Sequence, residues 1–350
     1  MMSPLQLGLV LLGLAIVVAV VAYNRWLASR FEPRRASPPA SDPSAEDEGA
    51  AGLATDRVEP VLDAAPTPSE GAGSGQSTGW LSAELDVIVP LSADPIVSGD
   101  AVLAALPGTR RIGSKPFFVE GLNPDTQAWE FPRVGQRYPQ IRAGIQLANR
   151  TGALNEIEFS EFVVKLQAFA DALQLSADFP DMMSEVARAR ELDQFAVDHD
   201  AQLSFTIRAT RAAWSPGYLT QHAALQGFVA GSLPGRMVLP ASQPAGAPVL
   251  VLQFETQAAL SDDPDQAALR SFSITLDVPH VARAERPFVR MREAAFHLAR
   301  AMQGQITDDG GLPLLPDALD QIGADLEGLY DALEARALPA GAALTRRLFS

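Results

Sequence analysis

Hydrophobic and polar positions divide the chain into an apolar stretch, a polar stretch and a long region of alternating elements. The apolar stretch, LQLGLVLLGLAIVVAVVA at residues 5–22, contains no charged side chain. Eighteen helical residues rising about 1.5 Å each span about 27 Å, close to the hydrocarbon thickness of about 30 Å in a bilayer. The pattern therefore predicts one transmembrane helix over residues 5–23, through which the chain binds the lipid bilayer.

The flanking charges predict the orientation of this helix. Residues 1–4 contain no basic side chain, whereas Arg25, Arg30, Arg34 and Arg35 follow the helix. The positive-inside rule places the N-terminus in the periplasm and the rest of the chain on the cytoplasmic side of the inner membrane. The alternative is a cleaved signal peptide, which would make the mature chain a secreted or periplasmic enzyme. It requires a basic n-region, which is missing, and a small-residue cleavage site, for which VAVVAYN is poorly suited.

The polar stretch predicts a disordered cytoplasmic linker over residues 24–80. Residues 31–79 contain seven prolines and nine acidic residues, and they end in the run GAGSGQSTG. Such a composition buries too little apolar surface to offset the entropy of ordering the chain. We expect this linker to separate the membrane helix from the folded part of the protein.

The region after residue 80 reads as an α+β protein in two halves, 81–199 and 200–339. In both halves the predicted order is strand, helix, several strands, then two helices. The predictions for the first half are strands at 85–89, 111–122 and 140–148, and helices at 99–106, around 162–173 and from Pro180 to about 197. Those for the second half are strands at 203–207, 237–239, 248–255, 271–279 and 305–309, and helices at 217–229, 288–302 and from Pro316 onward. The runs LDVIVPLSADPIVSG (85–99) and LSFTIRATRAAWSPG (203–217) match in length, which indicates two related copies.

Composition and motifs argue against several classes of function. The net charge of −15 and pI near 4.7 disfavour nucleic-acid binding, because phosphates are neutralised by clustered Lys and Arg. The absence of cysteine excludes thiolate ligands and cysteine nucleophiles. Asp262-Asp263 and Asp308-Asp309 are interpreted as turn or strand-end residues, since neighbours on a strand point to opposite faces. We therefore expect no catalytic residue, no metal site and no cofactor: the protein is not an enzyme.

Three sequence pieces of the second half carry a resemblance to a known family. They are SFSITLDVP (271–279), FVRMREAAFHLARAMQGQITDD (288–309) and the final helix that begins at Pro316. Together with the anchor and acidic linker, they resemble the ZipA family of bacterial cell-division proteins, and the first half looks like a diverged copy. The resemblance implies an antiparallel sheet with helices packed on one face. It also implies that the other face is a shallow apolar groove for the C-terminal tail of FtsZ, so that the protein anchors FtsZ filaments to the membrane during septum formation.

The resemblance also implies a set of groove residues. In the second half these are Ile207, Val249, Val251, Phe254 and Thr275, and in the first half Val89, Lys115, Phe117 and Gln146. The family commonly has an aromatic residue where Thr275 and Gln146 stand. The protein could therefore bind the tail with a different residue set, use one copy only, or act as a membrane-tethered scaffold or regulator for another cytoplasmic protein. A shift of one residue in register would exchange groove and core positions.

Overall fold

The computed structural model describes residues 79–350 except for three short segments, 93–95, 244–245 and 261–266. The predicted membrane helix and the linker up to residue 78 lie outside these residues. Within the described part, no helix combines the length and the apolar character that crossing a bilayer requires. This part combines helices with two six-stranded antiparallel sheets, which confirms the predicted mixture of helix and antiparallel sheet.

The first half contains short strands and three helices around one sheet. In chain order they are β1 (Asp86–Ser92), β2 (Val97–Ser98), α1 (Gly99–Ala105), β3 (Arg111–Ile112), β4 (Lys115–Leu122), β5 (Trp129–Glu130), β6 (Arg137–Tyr138), β7 (Ile141–Gln146), β8 (Ala148–Asn149), β9 (Gly152–Ala153), α2 (Glu156–Ala172), β10 (Ser176–Ala177) and α3 (Met182–His199).

The second half follows a similar order, and its two long closing helices have 16 and 20 residues, against 17 and 18 in the first half. Its elements are β11 (Gln202–Ala209), α4 (Pro216–Leu225), β12 (Val229–Ala230), β13 (Arg236–Leu239), β14 (Leu250–Gln253), α5 (Thr256–Ala259), β15 (Ser271–Asp277), the 3₁₀ turns Val278–His280 and Arg283–Glu285, α6 (Pro287–Met302), β16 (Gly304–Thr307), α7 (Pro316–Ala335) and α8 (Ala343–Leu348).

The two sheets have the same strand order. The first runs β10-β1-β7-β4-β3, with β5 on β4, and the second, taken from its far edge, runs β16-β11-β15-β14-β13-β12. When LDVIV (85–89) is aligned with LSFTI (203–207), the cross-strand neighbours Asp86 and Gln146 of the first sheet correspond to the cross-strand neighbours Ser204 and Thr275 of the second. The two sheets can therefore be compared position by position.

Helices cover one face of each sheet. In the first half Phe117 of β4 packs edge-on against Phe162 of α2, with ring centroids 5.9 Å apart. In the second half Phe205 of β11 contacts Phe288 of α6 at 6.3 Å. The strands of the second sheet alternate buried and accessible residues, because only one face is covered by the helices.

Several element boundaries differ from the prediction for local reasons. Helix α3 begins at Met182 rather than Pro180, because the Asp181 side chain accepts a hydrogen bond from the Ser184 amide and caps the helix. Helix α4 ends at Leu225, before the predicted residue 229, and Gly227 then adopts a φ of +85° that glycine tolerates. The predicted strand 271–279 ends at Asp277 and continues as a 3₁₀ turn.

Candidate functional site

The face of the first sheet that lies opposite the helices is covered by the chain itself. Trp80 packs on Phe118 of β4, with ring centroids 5.7 Å apart. The next residue, Leu81, is buried and donates its amide hydrogen to the carboxylate of Glu120 over 3.1 Å. A Cβ at Gly144 would lie 2.7 Å from a Leu81 methyl group, so the glycine lets this segment approach the strand. Residues 79–82 therefore form a lid on this face.

A second covering element is the segment 343–350, which places Arg347 on the same face. Its guanidinium donates to Asp86 at 2.5 Å and to the carbonyl oxygen of Trp80 at 2.6 Å. The guanidinium also lies 5.3 Å and 5.5 Å from the ring centroids of Trp80 and Phe118. The Gln146 amide donates to the carbonyl oxygen of Arg347 over 2.8 Å. Burial raises the pKa of Asp86, and Arg347 partly offsets this effect.

The corresponding face of the second sheet is accessible. Val229, Val238 and Val251 stand side by side on neighbouring strands, and the row continues through Thr275 to Ser204. The members of this row are half-buried or exposed. The Thr275 hydroxyl donates to the Val251 carbonyl over 3.3 Å, so its hydrogen is already engaged. Covering this row with an apolar ligand would therefore leave few polar groups without partners.

A cleft of about 520 Å³ adjoins this row, lined among others by Thr206, Gln253, Phe254, Glu255, Ser271 and Ser273. By strand register Gln253 corresponds to Phe118, and Ser273 corresponds to Gly144. These are the positions on which Trp80 and Leu81 rest in the first half. The cleft therefore occupies the place that residues 79–82 fill on the first sheet.

The structure places some of the predicted groove residues on or near this open face. Val251 and Thr275 lie on it, and Phe254 lines the cleft although its side chain is largely buried. Val249 precedes β14 and is buried, so it does not contribute accessible surface.

The other predicted groove residues lie on the wrong face. Ile207, Val89 and Phe117 are fully or almost fully buried on the helix-covered side. Lys115 also points inward, where its ammonium donates to Ser114, Asn149 and the Gly152 carbonyl. The error is a one-residue exchange of faces, since side chains alternate along a strand. Gln146 is on the covered face of the first sheet, where its side-chain amide donates to the Arg347 carbonyl.

The sequence pattern does not predict the roles of the covering residues Trp80, Leu81 and Arg347. Trp80 lies at the end of the predicted linker, although an aromatic residue directly after a glycine- and serine-rich run indicates the start of a packed region. Arg347 stands in the short run ALTRRLF, which gives no sign of a partner more than two hundred residues away.

The described residues include no group of three or more His, Cys, Asp or Glu side chains placed to hold a metal ion. His297 is exposed on the polar face of α6, as its helical position predicted. Asp308 accepts the Leu312 amide over 2.7 Å in a turn, in agreement with the predicted role. Asp262 and Asp263 lie outside the described residues.

No family model matches this chain, and no curated protein matches it.

Proposed function

We propose that this protein is a non-enzymatic membrane tether that binds the C-terminal tail of FtsZ on the open face of the second sheet. The observation that supports it is the contrast between equivalent faces: the first is filled by residues 79–82 and Arg347, and the second is accessible. We also infer from the shared strand order that the two halves are related copies. In this proposal the helix over residues 5–23 anchors the filaments to the cytoplasmic side of the inner membrane.

The first half provides an internal precedent for what such a face binds. There, a short stretch of chain lies across β4 and β7 and places an aromatic and an aliphatic side chain on the sheet. The second sheet offers a row of three valines and a neighbouring cleft at comparable positions. A short peptide with apolar side chains fits this surface, because its burial removes apolar area from water on both sides.

A second candidate partner is favoured by the polar lining of the cleft. Gln253, Ser271 and Ser273 stand there, and Thr275 occupies a position where the resembling family commonly has an aromatic residue. A peptide that carries hydrogen-bonding side chains would satisfy this lining better than a purely apolar one. The alternative function is therefore a membrane-tethered scaffold that binds another cytoplasmic protein on the same face.

The test is a binding measurement between the full chain in lipid nanodiscs and a fluorescent FtsZ tail peptide. Val251→Arg places a charge in the centre of the open row and is expected to weaken binding at least about tenfold, or about 1.4 kcal/mol. The matched control is Pro90→Arg, which adds the same charge at an exposed position of the first sheet and leaves binding unchanged.

Two outcomes would contradict the proposal. A folded chain that shows no binding at high micromolar peptide excludes the FtsZ tail and leaves the scaffold function. Binding that is insensitive to Val251→Arg places the site away from the open face.

A further inference from the structure

The segment 343–350 is held by both halves of the molecule. Helix α8 packs against β8 of the first half and against the 3₁₀ turn Val278–His280 of the second. Leu348 and Phe349 are fully buried, and the Ser350 carbonyl accepts the Arg150 amide over 3.3 Å. From this position the Arg347 side chain reaches across the first sheet. The segment thus has an apolar part that fixes it and one charged group that enters a polar pocket.

We propose that the covered face of the first sheet is a peptide-binding site whose ligand is the chain's own segment 343–350, with Arg347 as the residue that it recognises. The site binds an arginine followed by apolar residues, here Leu-Phe. Asp86 supplies the charge partner, Gln146 binds the peptide carbonyl, and Trp80 with Phe118 flanks the guanidinium. Asp86 and the Trp80 carbonyl accept from the two terminal nitrogens of the guanidinium, whereas its Nε has no partner among the described residues, and the two aromatic rings lie beside the guanidinium plane.

The second sheet lacks the three recognition groups of the first sheet that lie on its strands. Ser204 stands for Asp86, Thr275 for Gln146 and Gln253 for Phe118. An arginine brought to that face would have neither a carboxylate nor an aromatic ring at these positions. The segment 343–350 is therefore specific for the first half, and the selectivity lies in three substitutions at matched sites.

The segment 343–350 also affects whether a peptide from another protein can bind to the first sheet. Asp86 is fully buried and Arg347 is 8% exposed, so an incoming peptide must displace the segment before it reaches the first face. The second face needs no such displacement. One chain therefore offers one accessible peptide face, although it carries two equivalent sheets.

The inference is tested by supplying the segment in trans. The membrane-bound chain shortened to end at Ala342 is mixed with a labelled peptide of sequence GAALTRRLFS, residues 341–350. The shortened chain is expected to bind this peptide, and the intact chain is not. Arg347→Ala in the peptide should weaken binding at least about tenfold. A peptide of the same composition in scrambled order serves as the control and should bind at least about tenfold more weakly than the natural peptide.

A second measurement on the intact chain covers the case in which the shortened chain does not fold. Asp86→Ser introduces the residue of the second half, and it should release the segment so that trypsin cleaves after Arg346 or Arg347 at least tenfold faster. Ser204→Ala is the control and should leave the cleavage rate unchanged. The inference is overturned if cleavage after Asp86→Ser equals that of the natural chain, or if a folded shortened chain binds the Arg347→Ala peptide as tightly as the natural one.

Discussion

The two halves share one sheet topology but differ in what lies on the face opposite the helices. On the first sheet Asp86, Glu120 and Gln146 are buried beneath residues 79–82 and Arg347. On the second, Ser204 and Thr275 remain half-accessible. Strand order is the same in both, so topology does not decide whether the face is available. Whether the face is available depends on a few side chains on it and on the two covering segments, residues 79–82 and 343–350.

The polar groups on each face have partners that suit their degree of burial. A buried carboxylate needs a charged or hydrogen-bonding partner, and Asp86 and Glu120 find theirs in Arg347 and Arg142. The hydroxyl groups of Ser273 and Thr275 on the second face bond to neighbouring strand carbonyls, and both residues stay partly in contact with water, so no cover is required. The covered face is the one whose carboxylates, Asp86 and Glu120, are buried.

The largest expected effect follows from breaking the buried ion pair. Asp86→Ala removes the charge partner of Arg347, so that Arg347 either stays buried unpaired or leaves the face together with the segment 343–350, and the protein is expected to lose about 3–5 kcal/mol of stability. Ser204→Ala, at the matched position of the second sheet, should change stability by less than about 0.5 kcal/mol. Urea unfolding of the full chain in detergent measures both.

A double variant separates loss of the pair from loss of packing. Asp86→Leu combined with Arg347→Met replaces both charges with apolar groups and should recover most of the stability. If Asp86→Ala costs no more than Ser204→Ala, the two faces are equivalent in energy and the comparison fails.

A smaller effect is expected at the point where the lid approaches the first sheet. Gly144→Ala places a methyl group 2.6 Å from the Val87 carbonyl and 2.7 Å from Leu81, so the lid must shift. The expected cost is about 1–3 kcal/mol, as for overpacking of a core. Ser273→Ala, the matched change on the open face, should cost less than about 1 kcal/mol. Thermal unfolding checks the pair, and equal shifts of the two variants would show that residues 79–82 do not rest on β7 as a lid.

The sequence predicted the elements well and the faces poorly. Alternation along a strand tells which residues share a face, so Val89 and Phe117 were correctly grouped, but it does not tell which face the helices cover. In KPFFVEGL of β4 both faces carry bulky residues, because both are buried in the structure. A strand covered on two sides gives no clear period. At Phe117 the exchange of groove and core arose where the first half differs most from an open sheet, whereas at Ile207 it occurred on a strand that does alternate.

The covering contacts could not be predicted because they join distant parts of the chain. Arg347 and Asp86 are 261 residues apart, and Leu81 and Glu120 are 39 apart. Local pattern carries no information on such pairs. By contrast, helix α6 was predicted correctly, since Met291, Ala295 and Leu298 recur at helical spacing and are all buried.

The smallest expected effect lies where the halves meet, at the ion pair between Arg150 and Asp277. Burial opposes ionisation of Asp277, but hydrogen bonds and charge from His280 and Arg150 outweigh it and hold its pKa below the usual 3.8. A carboxyl with a lowered folded pKa contributes stability above its unfolded value and loses it as the pH falls through the folded value. Asp277→Asn should therefore cost up to about 1 kcal/mol near neutral pH, since the pair is partly exposed, and progressively less below pH 3.8. Unfolding in urea across this range measures the difference, with the exposed Asp309→Asn as control. A difference that stays constant down to about pH 3 would show that the ion pair does not join the halves energetically.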